Sequence, residues 1–581
     1  MYGFLSKIWP LFLRTGHCAI CAAGGSVLFR KRRESAWRIL NLLLPVVLLL
    51  APVPLVQAKA PSQLQTGVME QLALLLEGEE NLALEIRRRK TSLKTYYLED
   101  KGALLWIGNE RMSQLIQLLL SAETQGLFAS DYPTEYLQKL LKATPQVDAK
   151  SRAIVELLYS AFFLKYSSDL KGGRILPHNV DPELYWQTKK IDLALALRNL
   201  SKASDFKQFI EFWEPDIPDY KALKAKLAPY REFKENNSWP KLPSSDVLKP
   251  GMDDPRIPIL RRRLAGARGA KAAWETSTVS QSTVYDQALV EEVKHFQKLH
   301  GLEPDGVIGF RTKVAINIPI GERVRQIIVS MERWRWMPEN LGRDYIKVNI
   351  AGFHLTRYEN GKFAERKKVI VGKPYRRTPA FSDTIKYLEF NPYWTVPYSI
   401  ATRDKLPVLQ RNPSALVASG FEVFSGKQKI DPHTVNWQQY SRARFPFTLR
   451  QNPGPKNALG QVKFMFPNRF NVYLHDTPNR KLFDKTFRSF SSGCVRVHRP
   501  IDLAETLLKQ KHGWDRARID AVLTSGKRTV VTLGKPLPIH IIYSTAWLAE
   551  DGTIRFYVDF YQRDNKLYQA LFGKPVPWRG G

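Results

Sequence analysis

With 581 residues and 66.7 kDa the chain is too long for one ordinary hydrophobic core, so about two to four domains are expected. A hydrophobic content of 44% with 14 Trp, 23 Tyr and 29 Phe excludes a disordered or collagen-like chain, and a charged fraction of 25% excludes a polytopic membrane protein. The formal net charge of +33 calls for a polyanionic neighbour, whether nucleic acid, anionic lipid or a cell envelope.

The first sixty residues set the compartment. Arg30-Lys31-Arg32-Arg33 precedes an apolar run over residues 39–56, interrupted by Asn41, Pro45, Pro52 and Pro54 and followed by Gln57-Ala58-Lys59-Ala60. A basic region, a short apolar core and a small-residue exit read as an export signal. A membrane anchor, which needs about 20 fairly continuous apolar residues, is the alternative for residues 1–60. Of the three cysteines, Cys18 and Cys21 lie here, spaced like half a metal or redox site but with no second ligand pair. Their removal leaves Cys494 as one thiol, which excludes a disulfide framework and a cysteine-rich metal site. Residues 1–58 carry seven Lys/Arg against one Glu, so the exported body stays strongly basic. Outside the cytoplasm nucleic acid drops out as a partner, and the cell wall becomes the polyanion at hand.

Residues 61–235 read as a helical scaffold. Segments 69–76, 112–120 and 154–164 carry apolar side chains at three-to-four spacing, and Arg87-Arg88-Arg89 reads as a solvated helix face. Residues 236–255, rich in Asn, Ser, Asp and Pro, read as a linker. A compact module over residues 256–319 follows, helical at 257–264 and 288–299. Its Gly306 and Gly309 suit a tight turn, and Thr312 suits the cap of a last helix. Phe296-Gln297 with Asp305-Gly306-x-x-Gly309-x-x-Thr312 resembles the small three-helix peptidoglycan-binding module, and the resemblance implies wall binding. A helical hairpin with a glycine turn is the plain alternative. Residues 320–343 read as a helical connector.

The period then switches to two. Residues 345–350, 353–358 and 367–371 alternate as strands, with Asn360-Gly361 as a hairpin turn, and more strands are expected at 385–390, 462–466, 471–474 and 529–533. Together they imply a β-rich catalytic domain over residues 344–533. Residues 401–460 interrupt it as an inserted subdomain, too polar and Pro-rich for a sheet. The extension 534–581 returns to strand patterning with an Asp551-Gly552 turn.

Cys494 sits in Ser491-Ser-Gly-Cys-Val-Arg-Val497. An isolated Cys is by default a buried, inert hydrophobe. Here Ser-Ser-Gly gives a turn whose N–H groups can converge on an oxyanion, and Arg496 raises the positive potential that favours a thiolate. Such a nucleophile needs a base within reach. His498 is close in sequence but about 13 Å away along a strand, and His354 and His433 lack a presenting turn. His475 ends a strand and is followed by Asp476-Thr477-Pro478, a turn that fixes its ring at a domain edge.

His475-Asp-Thr-Pro with Ser491-Ser-Gly-Cys-Val-Arg-Val497 is similar to the signature of the L,D-transpeptidases, in their long multidomain form from Gram-negative periplasms. The resemblance implies a multidomain α+β protein: helical scaffold, peptidoglycan-binding module, and β-rich catalytic domain with residues 401–460 as a substrate-capping insertion. Ser492 departs from the short members, which carry His before Gly-Cys, so backbone donors carry more of the oxyanion here. The activity implied is third-to-third-residue cross-linking of wall stem peptides in the periplasm, from a tetrapeptide donor to a diaminopimelate-containing acceptor. No cofactor or metal is implied. Cys494 is the implied nucleophile and His475 its base, oriented by Asp476. The backbone around Ser492 and Gly493, with Tyr473, holds the tetrahedral charge. Arg496 is placed on a stem carboxylate, with a structural ion pair as an equal alternative, and Trp394 is core or cleft wall. Hydrolysis at the same site and non-catalytic wall binding stay open; a His/Cys zinc site matches tetrahedral zinc poorly.

Overall fold

A computed structural model of the chain describes residues 63–78, 82–186, 189, 191–203, 206–236, 241–243, 246–267, 281–509 and 513–573. The signal or anchor expected over residues 1–60, with Cys18 and Cys21, lies outside the described residues. Among the described residues no helix is long and apolar enough to cross a membrane.

The N-terminal part is helical, as its apolar spacing requires. Helices Gln63–Glu77, Leu84–Lys94 and Arg111–Leu120 surround Ala149–Gly172, whose N-cap Asp148 accepts from the Ser151 N–H at 2.7 Å. Ala149–Gly172 is buried along most of its length, and its Glu156 carboxylate accepts from the Trp106 and Ile107 N–H groups at 3.1 and 3.0 Å. A buried carboxylate without such donors would be costly, so this one pins the loop around Trp106.

The module that follows packs Ile257–Ala267, Gln287–Leu299 and Phe310–Ile316 around Leu260, Leu289, Val293 and Ile308. The preceding stretch is more than a linker: Leu242 and Leu248 are buried in this core, and Leu248 bridges Ile308. Gly306 takes φ +74, a left-handed turn that suits glycine. Thr312 is not the cap. Gly309 occupies that position, and Thr312 lies buried inside the helix, accepting from the Gln297 amide at 3.2 Å. The buried amide also donates to Asp305 and the Val307 carbonyl and accepts from the Gly306 N–H, so its polar atoms claim Thr312.

Helix Ile320–Trp336 is a core element rather than a connector. Trp334, Arg335 and Trp336 are almost fully buried, with Arg335 paired to Glu332 at 2.8 Å.

The main sheet contains β1 (Tyr345–Asn349), β2 (His354–Glu359), β3 (Lys362–Gly372), β4 (Phe381–Phe390), β9 (Val462–Met465), β10 (Leu474–His475), β11 (Ser489–Ser491), β12 (Val495–Val497) and β13 (Thr529–Ile542), where β5–β8 belong to the insertion described below. Its order is β11-β3-β12-β10-β9-β4-β13-β1-β2. Strand β3 also pairs with β2, so the sheet folds back on itself around one core. The strand expected to end at Leu533 continues to Ile542, pairing with β4 and then β1. A register shift between Thr532 and Leu537 accommodates Pro536, which cannot donate to a ladder.

The insertion does form a sheet: β5 (Trp394–Thr395), β6 (Phe421–Ser425), β7 (Gln428–Ile430) and β8 (Phe447–Gln451), in the order β5-β8-β6-β7. Its small core of Val396, Leu409, Phe421, Val423, Trp437 and Leu449 reaches back before residue 401. One apolar face suffices for a sheet covered by short helices. The extension ends in the hairpin β14 (Ala546–Leu548) and β15 (Ile554–Phe556) and the helix Arg563–Phe572.

Candidate active site

Parallel strands β10 and β12 lie side by side with Leu474 opposite Val495 and His475 opposite Arg496. Leu474 and Val495 are fully buried in the core. Side chains alternate along a strand, so Tyr473, His475, Cys494 and Arg496 share the opposite face. That face opens into a cavity of about 620 Å³, whose walls also include Trp394, Arg376 and Asp404. His475 and Cys494 are thus diagonal neighbours on adjacent strands, a spacing that side chains bridge.

His475 is buried, and its Nδ1 meets the Asp476 carbonyl at 2.5 Å. A carbonyl only accepts, so Nδ1 carries the proton and Nε2 is left with its lone pair. The Asp476 carboxylate points elsewhere and accepts from the Gln461 N–H at 2.9 Å. Orientation of the ring therefore comes from the Asp476 backbone. Burial, reinforced by the Arg496 charge, holds the His475 pKa down to about 3. The ring is a neutral acceptor at any working pH.

The Cys494 thiol is half-buried, with Sγ 3.6 Å from the Asn471 carbonyl. Burial pushes its pKa up, against the lowering influence of Tyr473, Lys463 and Arg496. Desolvation thus opposes the thiolate that the Arg496 charge alone would favour. Tyr473 stays protonated, its hydroxyl pushed up by burial and by the neighbouring Cys494.

Ser491 Oγ donates to the Cys494 carbonyl at 2.5 Å and accepts from the Gly493 N–H at 3.2 Å. The Gly493 N–H is therefore engaged, and Gly493 contributes its φ of +120, a conformation that suits glycine. The Cys494 N–H carries no acceptor among the described residues and is the donor available to an oxyanion. Arg496 lies beside the cavity with Nε unpartnered and with no carboxylate paired to it among the described residues. The structural ion pair considered for it is not formed. Trp394 is half-buried at the root of the insertion, 5.8 Å from the Phe421 ring.

The other histidines lie elsewhere. His354 is buried against Trp547 at 5.1 Å, His433 is exposed on the insertion, and His498 opens into a separate crevice beside Arg499 and Arg516. Sequence reasoning missed Arg376, which donates to Ser492 Oγ at 3.0 Å while gripping the Asp404 carboxylate, Nη2 to Oδ1 at 2.6 Å. This pair joins the loop after β3 to the insertion across the cavity mouth. No local pattern in Lys373-Pro-Tyr-Arg-Arg-Thr378 signals such a contact; it depends on the insertion folding over.

Residues 343–535 match the family described as L,D-transpeptidase catalytic domain, residues 254–316 that described as "Putative peptidoglycan binding domain", and residues 91–227 that described as scaffold domain. A "Putative L,D-transpeptidase" from Haemophilus influenzae (strain ATCC 51907 / DSM 11121 / KW20 / Rd) is 34% identical over 247 residues, 42% of this chain and 49% of that protein. The chain thus spans about half the length of that curated relative. A crystal structure of the L,D-transpeptidase (residues 123–326) from Xylanimonas cellulosilytica DSM 15894 is 14% identical, with 52% of this chain and 99% of that one covered and a TM-score of 0.18.

Proposed function

We propose that this chain, which carries an L,D-transpeptidase catalytic domain over residues 343–535, cross-links peptidoglycan stem peptides through an acyl-enzyme on Cys494. The observation that carries the reading is the single sheet face bearing Cys494, a buried His475 held through Nδ1 by the Asp476 carbonyl, and an Arg496 with no carboxylate partner among the described residues, all opening on one cavity.

Nε2 of His475 takes the thiol proton as Sγ attacks the amide between the third stem residue and its terminal D-alanine. The Cys494 N–H and the Tyr473 hydroxyl stand where the oxyanion develops. Collapse breaks the amide, and the imidazolium returns its proton to the leaving amine. In the second half the side-chain amine of a diaminopimelate attacks the thioester, His475 takes its proton, and the released sulfur recovers it as thiol. Arg496 holds a stem carboxylate, to which a guanidinium gives two parallel donors. The insertion, fastened by Arg376 and Asp404, limits water around the thioester, which transfer to an amine requires. The match to the "Putative peptidoglycan binding domain" over residues 254–316 and the strongly basic composition support a site of action on the wall.

Incubation of the purified chain with tetrapeptide muropeptides tests the reading. Cross-linked dimers and free D-alanine are expected. Tripeptide monomers alone would assign the site to hydrolysis, and neither product would overturn the proposal.

A further inference from the structure

The peptide unit between Gly493 and Cys494 is planar and trans, so its carbonyl and its N–H point in opposite directions. Whatever fixes the Gly493 carbonyl therefore aims the Cys494 N–H. A glycine at φ +120 can rotate more readily than any other residue, so this peptide needs a restraint. Thr378 supplies it: its Oγ1 donates to the Gly493 carbonyl at 2.8 Å and accepts from the Gly372 N–H at 2.9 Å.

Thr378 is itself held from two directions. Its N–H donates to the Tyr561 hydroxyl at 3.0 Å, and that hydroxyl donates to the Gly372 carbonyl at 2.5 Å. The Thr378 carbonyl accepts from Arg563, whose Nε pairs with Asp181 at 3.1 Å and whose Nη2 pairs with Glu183 at 2.9 Å. Thr378, Asp181 and Arg563 are fully buried and Tyr561 is 1% exposed. The helical domain also adds two backbone bonds at Ala380, its N–H to the Glu183 carbonyl at 3.0 Å and its carbonyl from the Tyr185 N–H at 2.9 Å. Asp181, Glu183, Tyr561 and Arg563 all lie outside residues 343–535. None of the four lines the cavity.

We propose that Thr378, clamped by Tyr561 and Arg563 of the C-terminal extension and by Asp181 of the helical domain, is a positioning residue that aims the Cys494 N–H at the oxyanion. The inference rests on the reading of Cys494 as an acyl-enzyme nucleophile. It makes the helical domain and the extension parts of the catalytic apparatus, because the catalytic domain alone lacks the clamp.

The test compares two reactions of the same thiol in the full chain, with Cys494→Ala as blank. Acetyl transfer from p-nitrophenyl acetate passes through an oxyanion, whereas alkylation by iodoacetamide does not. Thr378→Val should slow acetylation about tenfold to a hundredfold, less than the roughly hundredfold to thousandfold cost of removing an oxyanion donor outright, and leave alkylation unchanged. Thr378→Ser, which keeps the hydroxyl, should restore acetylation. Tyr561→Phe removes only the supporting hydroxyl and should slow acetylation in the same selective way, which decides the matter if Thr378→Val does not fold. Equal slowing of both reactions, or acetylation unchanged in the folded variants, would overturn the positioning role. A wild-type chain alkylated but never acetylated at Cys494 would instead overturn the acyl-enzyme reading, and this inference with it.

Discussion

Replacing Arg496 by Met should make the protein more stable and less active at once. The guanidinium is half-buried, its Nε has no acceptor, and burial outweighs the neighbouring thiol in pulling its pKa down. An unpaired polar group withdrawn from water costs about 1–3 kcal/mol, and the lower end applies where solvent still reaches part of the side chain. Met keeps much of the stem's volume and removes the charge. For a domain of this size ~1 kcal/mol raises the melting temperature by about 2–4 °C. Against this, a charge-assisted hydrogen bond to a stem carboxylate contributes about 1.5–3 kcal/mol. Its loss lowers kcat/KM for a carboxylate-bearing donor by about 10- to 150-fold. Scanning calorimetry gives the first quantity. Steady-state kinetics on a donor and its carboxamide twin give the second: the wild type should prefer the carboxylate and Arg496→Met should treat the two alike. A lower melting temperature with the preference intact would refute the argument and return Arg496 to a structural role.

Three further outcomes are expected. Burial holds His475 and His540 down to about 3 and 4, below the unfolded value of about 6.5, so the unfolded chain protonates first. Stability present above pH 6.5 should therefore be lost as pH falls toward 4, by about 1.4 kcal/mol per pH unit for each ring; a melting temperature flat from pH 7 to 5 would contradict this. Asp404→Ala removes an ion pair across the cavity mouth worth about 0.5–1 kcal/mol at this exposure, so the tripeptide-to-dimer ratio should rise about two- to five-fold. An unchanged ratio would mean the pair does not help exclude water. Phe310, 76% exposed on the peptidoglycan-binding-like module, is an apolar contact in search of a surface: Phe310→Ser should weaken pelleting with sacculi and leave acylation by a small donor unaltered, and equal pelleting would place wall contact elsewhere.

How far the sequence carried the reading depended on how local each signal is. The Cys494 and His475 motifs were legible because strand alternation and a following turn are short-range facts, and the parallel pairing of β10 and β12 then joins them. The alternation Phe421-Glu-Val-Phe-Ser425 followed by Gly426 does spell a hairpin strand, but the prolines and charges around it masked a sheet that needs only one covered face. The strand expected to end at Leu533 runs on to Ile542 because a register shift around Pro536 lets the ladder resume, a long-range pairing that the local pattern does not show. Thr312 looked like a cap until the buried Gln297 amide required it as a partner. Helix Ile320–Trp336 read as a connector, yet its arginines are absorbed inside the fold: Arg335 pairs with Glu332 one turn away and Arg333 with Asp564 of the extension, while Arg323 donates to Gln326 and the Ala315 carbonyl. The clamp on Thr378 joins residues nearly four hundred positions apart, Asp181 to Arg563, and no periodicity can announce it.

The central claim is that Cys494 carries the acyl group of a stem peptide. Intact-protein mass spectrometry after incubation with a tetrapeptide donor tests it most directly. The account predicts a single adduct with the mass of the tripeptide acyl group, present on the wild type, mapped to Cys494 by peptide digestion, and absent from Cys494→Ala. An unmodified wild type that still forms dimers, or an adduct that persists in Cys494→Ala, would contradict it.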